Sequence, residues 1–341
     1  MASEIEIFQT LLSAATGQAG APGWPELLRL LAETTRADSL ALRFDQRGRR
    51  VAAWHHGPPP PELAQPEKLR AGRVYAQGDL PGLGPRPAPL RALRAPAGPG
   101  GCALLLMRRA PGAEDFRAID GVQLSTLAPY LGPALTGWQG AEAVRARAAR
   151  DRALARDLGA GWILFSPTGQ ILDRGAGLEG LLAGSGARLT GDGRLHLPEE
   201  GSAQALRAAL ARPDPAWLLL SAAPRLEVWI TPEGPGARLA RLRRPPGAAA
   251  LPPARVAAQF ALAPAEARLA QRICDGRSLA EAAGDLGWTL ESTRSASKQV
   301  FARMGVRGQA GVIRQMQGGA LWLAPPEGDP EMQEAGPDSE V

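Results

Sequence analysis

Arg294 and Lys298 are the residues of this 341-residue chain whose type and spacing point most directly to a chemistry. Four positions apart, they share one face of a helix, one turn from each other, together with Glu291 and Ser295. A guanidinium and an ammonium so placed suit a phosphate and an adjacent guanine edge. Ser292 and Ser295 can donate to phosphate oxygens near the helix N-terminus, where the dipole favours anions. Thr293, Ser297, Val300 and Met304 repeat on the inward face. Taken alone, Arg294 and Lys298 also read as an ordinary solvated cationic face, so the elements that carry them decide between the two.

Those elements are strongly marked. Pro264 to Ile273 is amphipathic, with Leu262, Ala267, Ala270 and Ile273 to one side, and it stops at Asp275-Gly276. Ser278 is an N-cap for a helix over Leu279 to Leu286, and Glu281 completes a capping box. Gly287 permits the turn that ends this helix, and Thr289 caps the next, from about Leu290 to Met304. Two short helices joined by a tight glycine turn describe a helix-turn-helix, whose second helix would lie in the DNA major groove.

Here a family resemblance becomes specific. Leu262-x-Pro264-x-Glu266-x-x-Leu269, Gly276-x-Ser278-x-x-Glu281-Ala282-Ala283, Leu286-Gly287 and Thr293-Arg294-Ser295-x-x-Lys298-x-x-Phe301-x-x-Met304-Gly305-Val306 resemble a LuxR-type helix-turn-helix. Arg307 to Arg314 matches the fourth helix of that family, which commonly supports dimer contacts. By this resemblance Ser292, Arg294, Ser295 and Lys298 occupy recognition-helix positions that face DNA. Thr293 occupies an often apolar position that can also touch bases. Ser297 stands where the family usually places Leu, and loss of a buried Leu typically costs ~2–5 kcal/mol. Trp288, at a position where a smaller aliphatic residue is usual, can fill part of that space. A sigma factor carries a similar helix-turn-helix. The Gly305-Val306 turn and the helix beyond it favour the LuxR type, and no region that would bind core polymerase precedes it.

Upstream, residues 3–15 and 25–35 have helical periodicity, and Ser39–Phe44 and Arg50–His55 form a strand pair. Proline and glycine dominate the next forty-odd residues, which read as long loops with at most short strands. Gly101 to Met107 is a buried-strand run, and a helical stretch follows from Glu114 to Leu135. This order resembles a GAF domain over 1–139. Residues 140–159 read as a charged connector helix, with Val144, Ala148, Asp151, Ala155 and Leu158 on a thin heptad seam. Strand, turn, strand, small helix, helix and three antiparallel strands resemble a PAS-like domain over 160–245. Residues 246–254 read as a stiff Pro-rich linker, 255–324 as the helix-turn-helix domain, and 325–341 as a disordered acidic tail. The expected fold class is therefore multidomain α+β: two mixed α/β sensory domains, then an all-α four-helix helix-turn-helix DNA-binding domain.

Other chemistry-bearing residues suggest less. His55 and His56 alternate faces on a strand, and His196 has no nearby Cys or His, so no metal site is expected. Cys102 and Cys274 read as small buried hydrophobes without a resolving partner. Gly175-Ala-Gly-Leu-Glu-Gly180 fits Gly-x-Gly-x-x-Gly, but no βαβ unit or ribose-binding acid follows. Six tryptophans, Trp24, Trp54, Trp138, Trp162, Trp217 and Trp229, lie upstream of the helix-turn-helix and read more readily as core than as a ligand pocket.

Composition sets the outer bounds. A prior of roughly 150 residues per domain gives two or three domains. The longest apolar runs, Ala103–Met107 and Ala216–Leu220, are far short of the ~18 residues a membrane span needs. The N-terminus has no basic n-region or apolar h-region, so a cytoplasmic protein is expected. The net charge of +5 is weak support for nucleic acid, since nine basic and five acidic residues give 255–322 only +4, while 1–254 carries +7. Expected partners are double-stranded DNA and a second copy in a homodimer, with RNA polymerase or a regulatory protein as a further possibility. The small-molecule signal stays unnamed, and no cofactor, catalytic residue or membrane contact is expected. The alternative function is a sensor or adaptor whose helix-turn-helix binds a protein.

Overall fold

The structure, a computed structural model, describes residues 3–17, 20, 23–63, 65–80 and 88–323. The chain divides into two compact units, 1–148 and 149–341. The expected acidic tail, 325–341, lies outside the described residues.

In the first unit, helices α1 (Glu4–Thr16) and α2 (Trp24–Thr35) precede strands β1 (Ser39–Gln46), β2 (Arg49–His56), β3 (Val74–Ala76), β4 (Leu90–Pro96) and β5 (Gly101–Arg108). The strands form one antiparallel sheet in the order β2-β1-β5-β4-β3. Strands β3 and β4 rise from the stretch expected to be mainly loop. Leu90, Ala92 and Leu93 supply β4 with buried side chains.

The apolar run of β5 is explained by burial on both faces. Ala103, Leu105 and Met107 join α1 and α2 in the main core, whereas Leu104 and Leu106 join Leu63, Leu69, Tyr75 and Leu80 in a second cluster. Trp24 stacks on Trp54 at 5.2 Å, and Trp138 meets Trp54 edge-on at 5.0 Å, so these three tryptophans are packing residues.

Helix α3 (Ala118–Asp157) corrects the expected division into an exit helix and a separate connector, because it is continuous over 40 residues. Pro129 and Pro133 sit inside it, and Gly132 lies against the strand end. A Cβ at Gly132 would stand 1.7 Å from the Pro96 carbonyl oxygen, so only glycine permits that approach. Beyond Leu135, no residue of α3 is buried. At its start, Asp120 is buried against Arg109 at 3.5 Å and Arg117 at 2.8 Å. Arg109 also donates to the carbonyls of Thr35, Glu114 and Asp115, tying the end of α2 to the entrance of α3.

The second unit contains strands β6 (Ala160–Phe165) and β7 (Ile171–Arg174), helix α4 (Leu178–Leu182), the short pair β8 (Arg188–Leu189) and β9 (Leu195–His196), and helix α5 (Glu200–Ala211). Strands β10 (Ala216–Ala222), β11 (Arg225–Glu233) and β12 (Ala237–Arg243) follow, completing an antiparallel sheet in the order β10-β11-β12-β6-β7. Its inner face presents Ile163, Phe165, Val228, Ile230, Ala240 and Leu242 to Leu178, Leu182, Leu206 and Leu210 of α4 and α5. With only antiparallel pairs, the glycine run 175–180 opens no βαβ crossover. A Cβ at Gly175 would lie 3.1 Å from Trp162 Nε1, so the indole lies close over that glycine.

Five helices end the described chain: α6 (Pro253–Phe260), α7 (Pro264–Cys274), α8 (Leu279–Leu286), α9 (Leu290–Met304) and α10 (Gln309–Gly318). Fold class is thus mixed α/β with antiparallel sheets and an all-helical C-terminal region. The stretch 246–254 is not an extended linker. Residues Ala248–Ala250 form a 3-10 turn, α6 begins at Pro253, and Ala248 and Leu251 are buried in the helical core. Asp275 accepts the N–H groups of Ala248 and Ala249, and Gln271 Nε2 donates to the carbonyls of Ala248 and Leu251. Proline stiffness is a local property, and these long-range bonds decide where the stiff segment lies.

Candidate nucleic-acid interface

Local chemistry sets the approach of α8 to α9. The hydroxyl of Ser278 accepts the N–H of Glu281 at 3.2 Å, and the Glu281 carboxylate accepts the N–H of Ser278 at 2.8 Å. The latter bond, to the Ser278 amide, lowers the Glu281 pKa below its ordinary 4.5. Gly287 closes α8 in the left-handed conformation at φ 68°, and the Trp288 N–H reaches back to the Ala283 carbonyl. Thr289 then caps α9 by accepting the Ser292 N–H at 3.1 Å. Only Gly287, Trp288 and Thr289 separate the two helices.

Burial follows the helical phase. Thr293, Ser297, Val300 and Met304 are buried against a core that includes Leu269, Ile273 and Val312, while Glu291, Ser292, Arg294, Ser295 and Lys298 are exposed. Four of the five expected site residues therefore share the open side of α9. Thr293 is the correction: it is fully buried, and its hydroxyl donates to the Thr289 carbonyl at 2.9 Å, so it cannot reach a duplex outside. Helical phase already places it inward, and the contact with bases came from the family resemblance alone.

Ser297, at the position where a Leu was expected, is satisfied in place. Its hydroxyl donates to the Arg294 carbonyl at 2.8 Å, and Trp288 packs against the same core. Ser292 Oγ accepts from Thr289 Oγ1 at 2.9 Å, which leaves its own proton to donate outward.

Other cations of this region, including Arg303 at the far end of α9, are arranged differently. Arg272 and Arg277 face Asp285 at 3.6 and 3.5 Å, and Arg303 faces Glu266 at 3.6 Å while donating to the Ala261 carbonyl. Among the described residues, Arg294 and Lys298 have neither an ion pair nor a hydrogen bond through their side chains. The outward face of α9 thus holds two cations with their full charge available, beside one anion, Glu291. Exposed Arg268, Arg307 and Arg314, on or near α7 and α10, are likewise without an acid partner among the described residues; sequence phase did not single them out.

The remaining chemistry-bearing residues do not assemble. Among the described residues, no three of His, Cys, Asp and Glu come together as a metal-holding group, and no helix is long and apolar enough to cross a membrane. Cys274 is buried as expected, and burial, reinforced by the Asp275 charge, pushes its thiol up to about 11. Cys102 is only half-buried, near the start of β5, where it lines a groove with Arg43, Arg50 and Arg94.

No family model matches the chain, and no curated protein matches it. Among solved structures, the chain is similar to the GAF domain of a protein described as a sensor histidine kinase from Pseudomonas syringae pv. tomato, at 17% identity and a TM-score of 0.28, covering 42% of this chain and 92% of that one. It is similar to the E. coli DhaR(N)-DhaL complex at 16% identity and a TM-score of 0.30, covering 71% of this chain and 87% of that one. It is also similar to the phage VqmA-DPO complex at 15% identity and a TM-score of 0.21, covering 52% of this chain and 93% of that one.

Proposed function

We propose that the chain is a sequence-specific DNA-binding transcriptional regulator of the LuxR type, in which α7–α10 form a four-helix helix-turn-helix domain and α9 is the recognition helix. The GAF-like and PAS-like modules upstream would take a signal or a protein partner and bias this domain. In this reading the protein acts as a homodimer on two half-sites, and it is neither an enzyme nor dependent on a cofactor. The observation that carries the reading is the pair Arg294 and Lys298, unpaired and exposed on the outward face of a capped helix, whereas Arg272, Arg277 and Arg303 nearby face acids. Free cations on one face retain their charge for phosphate, whereas paired ones have already spent it.

The test is binding to genomic DNA fragments across a salt series, using the full chain. Arg294→Ala and Lys298→Ala should each weaken binding, and each lost phosphate contact lowers the slope of log K against log salt by about 0.9. A wild-type chain that binds DNA with both variants unchanged in affinity and slope would remove α9 from the interface. Failure of the wild type to bind, with capture of polymerase or another protein, would favour the adaptor reading.

A further inference from the structure

The outer face of the second sheet is built unlike its inner one. Trp162, Trp217 and Trp229 are 38%, 50% and 49% exposed there, although indoles of this size are normally placed where they lose contact with water. Strand register puts them in one row. Trp217 pairs with Trp229, Trp229 with Arg241, and Arg241 with Trp162, so the row reads Trp-Trp-Arg-Trp across β10, β11, β12 and β6. The adjacent row, in the same register, reads Leu219, Glu227, Arg243 and Ala160. Arg241 is held along the sheet by donating to Thr231 Oγ1 at 2.9 Å.

Both rows are complementary to their own reversal. A two-fold axis parallel to the strands, midway between β11 and β12, carries β11 onto β12 and β10 onto β6. Trp229 then meets Arg241 of a second copy, twice per dimer, and Trp217 meets that copy's Trp162. In the neighbouring row Glu227 meets Arg243, and Leu219 meets Ala160. Cation–π contacts, an indole pair and opposite charges all arise from one operation, as an isologous interface requires. A groove of about 560 Å³, lined by Ala155, Gly161, Trp162 and Leu239, lies beside the row and can receive the second copy's Trp217. We infer that the outer face of the β10-β11-β12-β6-β7 sheet is a self-association surface that takes a second copy of this chain about that axis.

This inference deepens the homodimer of the proposed function and rests on that part of it alone, not on DNA binding. The four strands that this axis pairs, at ~4.8 Å spacing and each of about seven residues, give a face of about 19 by 23 Å and a total buried area on the order of 900 Å². That is at the low end for a specific interface, so the dimer should be weak and reversible, with monomer and dimer both present at micromolar concentrations.

Sedimentation equilibrium of the full chain tests it with Trp229→Arg and Arg241→Glu. Both side chains are exposed, so both variants should keep the wild-type circular dichroism and unfolding transition. Trp229→Arg alone sets Arg against Arg241 twice, and Arg241→Glu alone sets Glu against Trp229 twice, so each should be monomeric where wild type associates. Mixed in equal amounts, they should form a heterodimer, because one contact becomes an Arg–Glu pair and the other remains the original Arg–Trp pair. Association of either variant at wild-type strength, or a mixture that stays monomeric, overturns the face while leaving a homodimer possible elsewhere. A monomeric wild type overturns the face and the dimer together. Tryptophan fluorescence that shifts with single-stranded oligonucleotide instead of with protein concentration assigns the row to base stacking and overturns self-association.

Discussion

Asp120→Ala should be among the most costly single substitutions in the first unit. The Asp120 carboxylate is buried and faces the buried guanidinium of Arg109 at 3.5 Å, Arg117 at 2.8 Å, and the N–H of Arg117 at 2.8 Å. Removing it leaves Arg109 buried with three carbonyl acceptors and no anion in direct contact, and its Nε already lacks a partner. A buried charge stripped of its counter-ion typically costs about 3–5 kcal/mol. Arg109→Met combined with Asp120→Ala should cost less than the sum of the singles, because no charge is then left uncompensated, with a coupling on the order of 1–3 kcal/mol. Asp120→Asn, which keeps one acceptor and the shape, should fall between wild type and Asp120→Ala. The chain has two compact units and a single transition is not assumed, so urea unfolding should be followed by hydrogen exchange in peptides from the end of α2 and the start of α3. A cost for Asp120→Ala below about 1 kcal/mol, or full additivity in the double variant, would refute the clamp.

Three further outcomes follow from the second unit. Ser297→Ala removes a hydroxyl that bonds only to its own helix, so it should raise stability by about 0.5 kcal/mol and leave DNA affinity unchanged; a loss above about 1 kcal/mol would mean the hydroxyl supports more than the Arg294 carbonyl. The Glu281 cap should be pH-dependent: with its folded pKa lowered, its contribution is full above the ordinary 4.5 and is lost as pH falls through the folded value. Thermal melting from neutral to acid pH should show this loss, and Glu281→Gln should flatten it; an unchanged profile would rule the cap out as the source. Iodoacetamide at neutral pH should label half-buried Cys102 well before Cys274, whose thiol is held up to about 11; equal rates by mass spectrometry would contradict that burial.

What was legible in the sequence was what depends on neighbours a few residues apart. Ser278 with Glu281, Gly287, and Thr289 mark helix ends through bonds that span three or four positions, so α8 and α9 and the outward placement of Arg294 and Lys298 could be read directly. The β5 run announced its burial because both faces are covered. Thr293 sits inward as its phase with Val300 and Met304 requires, and its contact with bases rested on the family resemblance alone. Continuity of α3 through Thr136 to Gly140 escaped local reading because Trp138 is held by contacts to the sheet side of the first unit, not by helix propensity.

The chain alone therefore determined the caps, turns and helical phase that aim two cations outward. Tertiary structure decided that the 248–251 turn is held by Asp275 and Gln271, and that three distant tryptophans stand in one row with Arg241 on one open face. Strand register is a long-range choice: a shift of one residue would turn every one of those side chains to the opposite face, and no local pattern specifies which strand lies next to which.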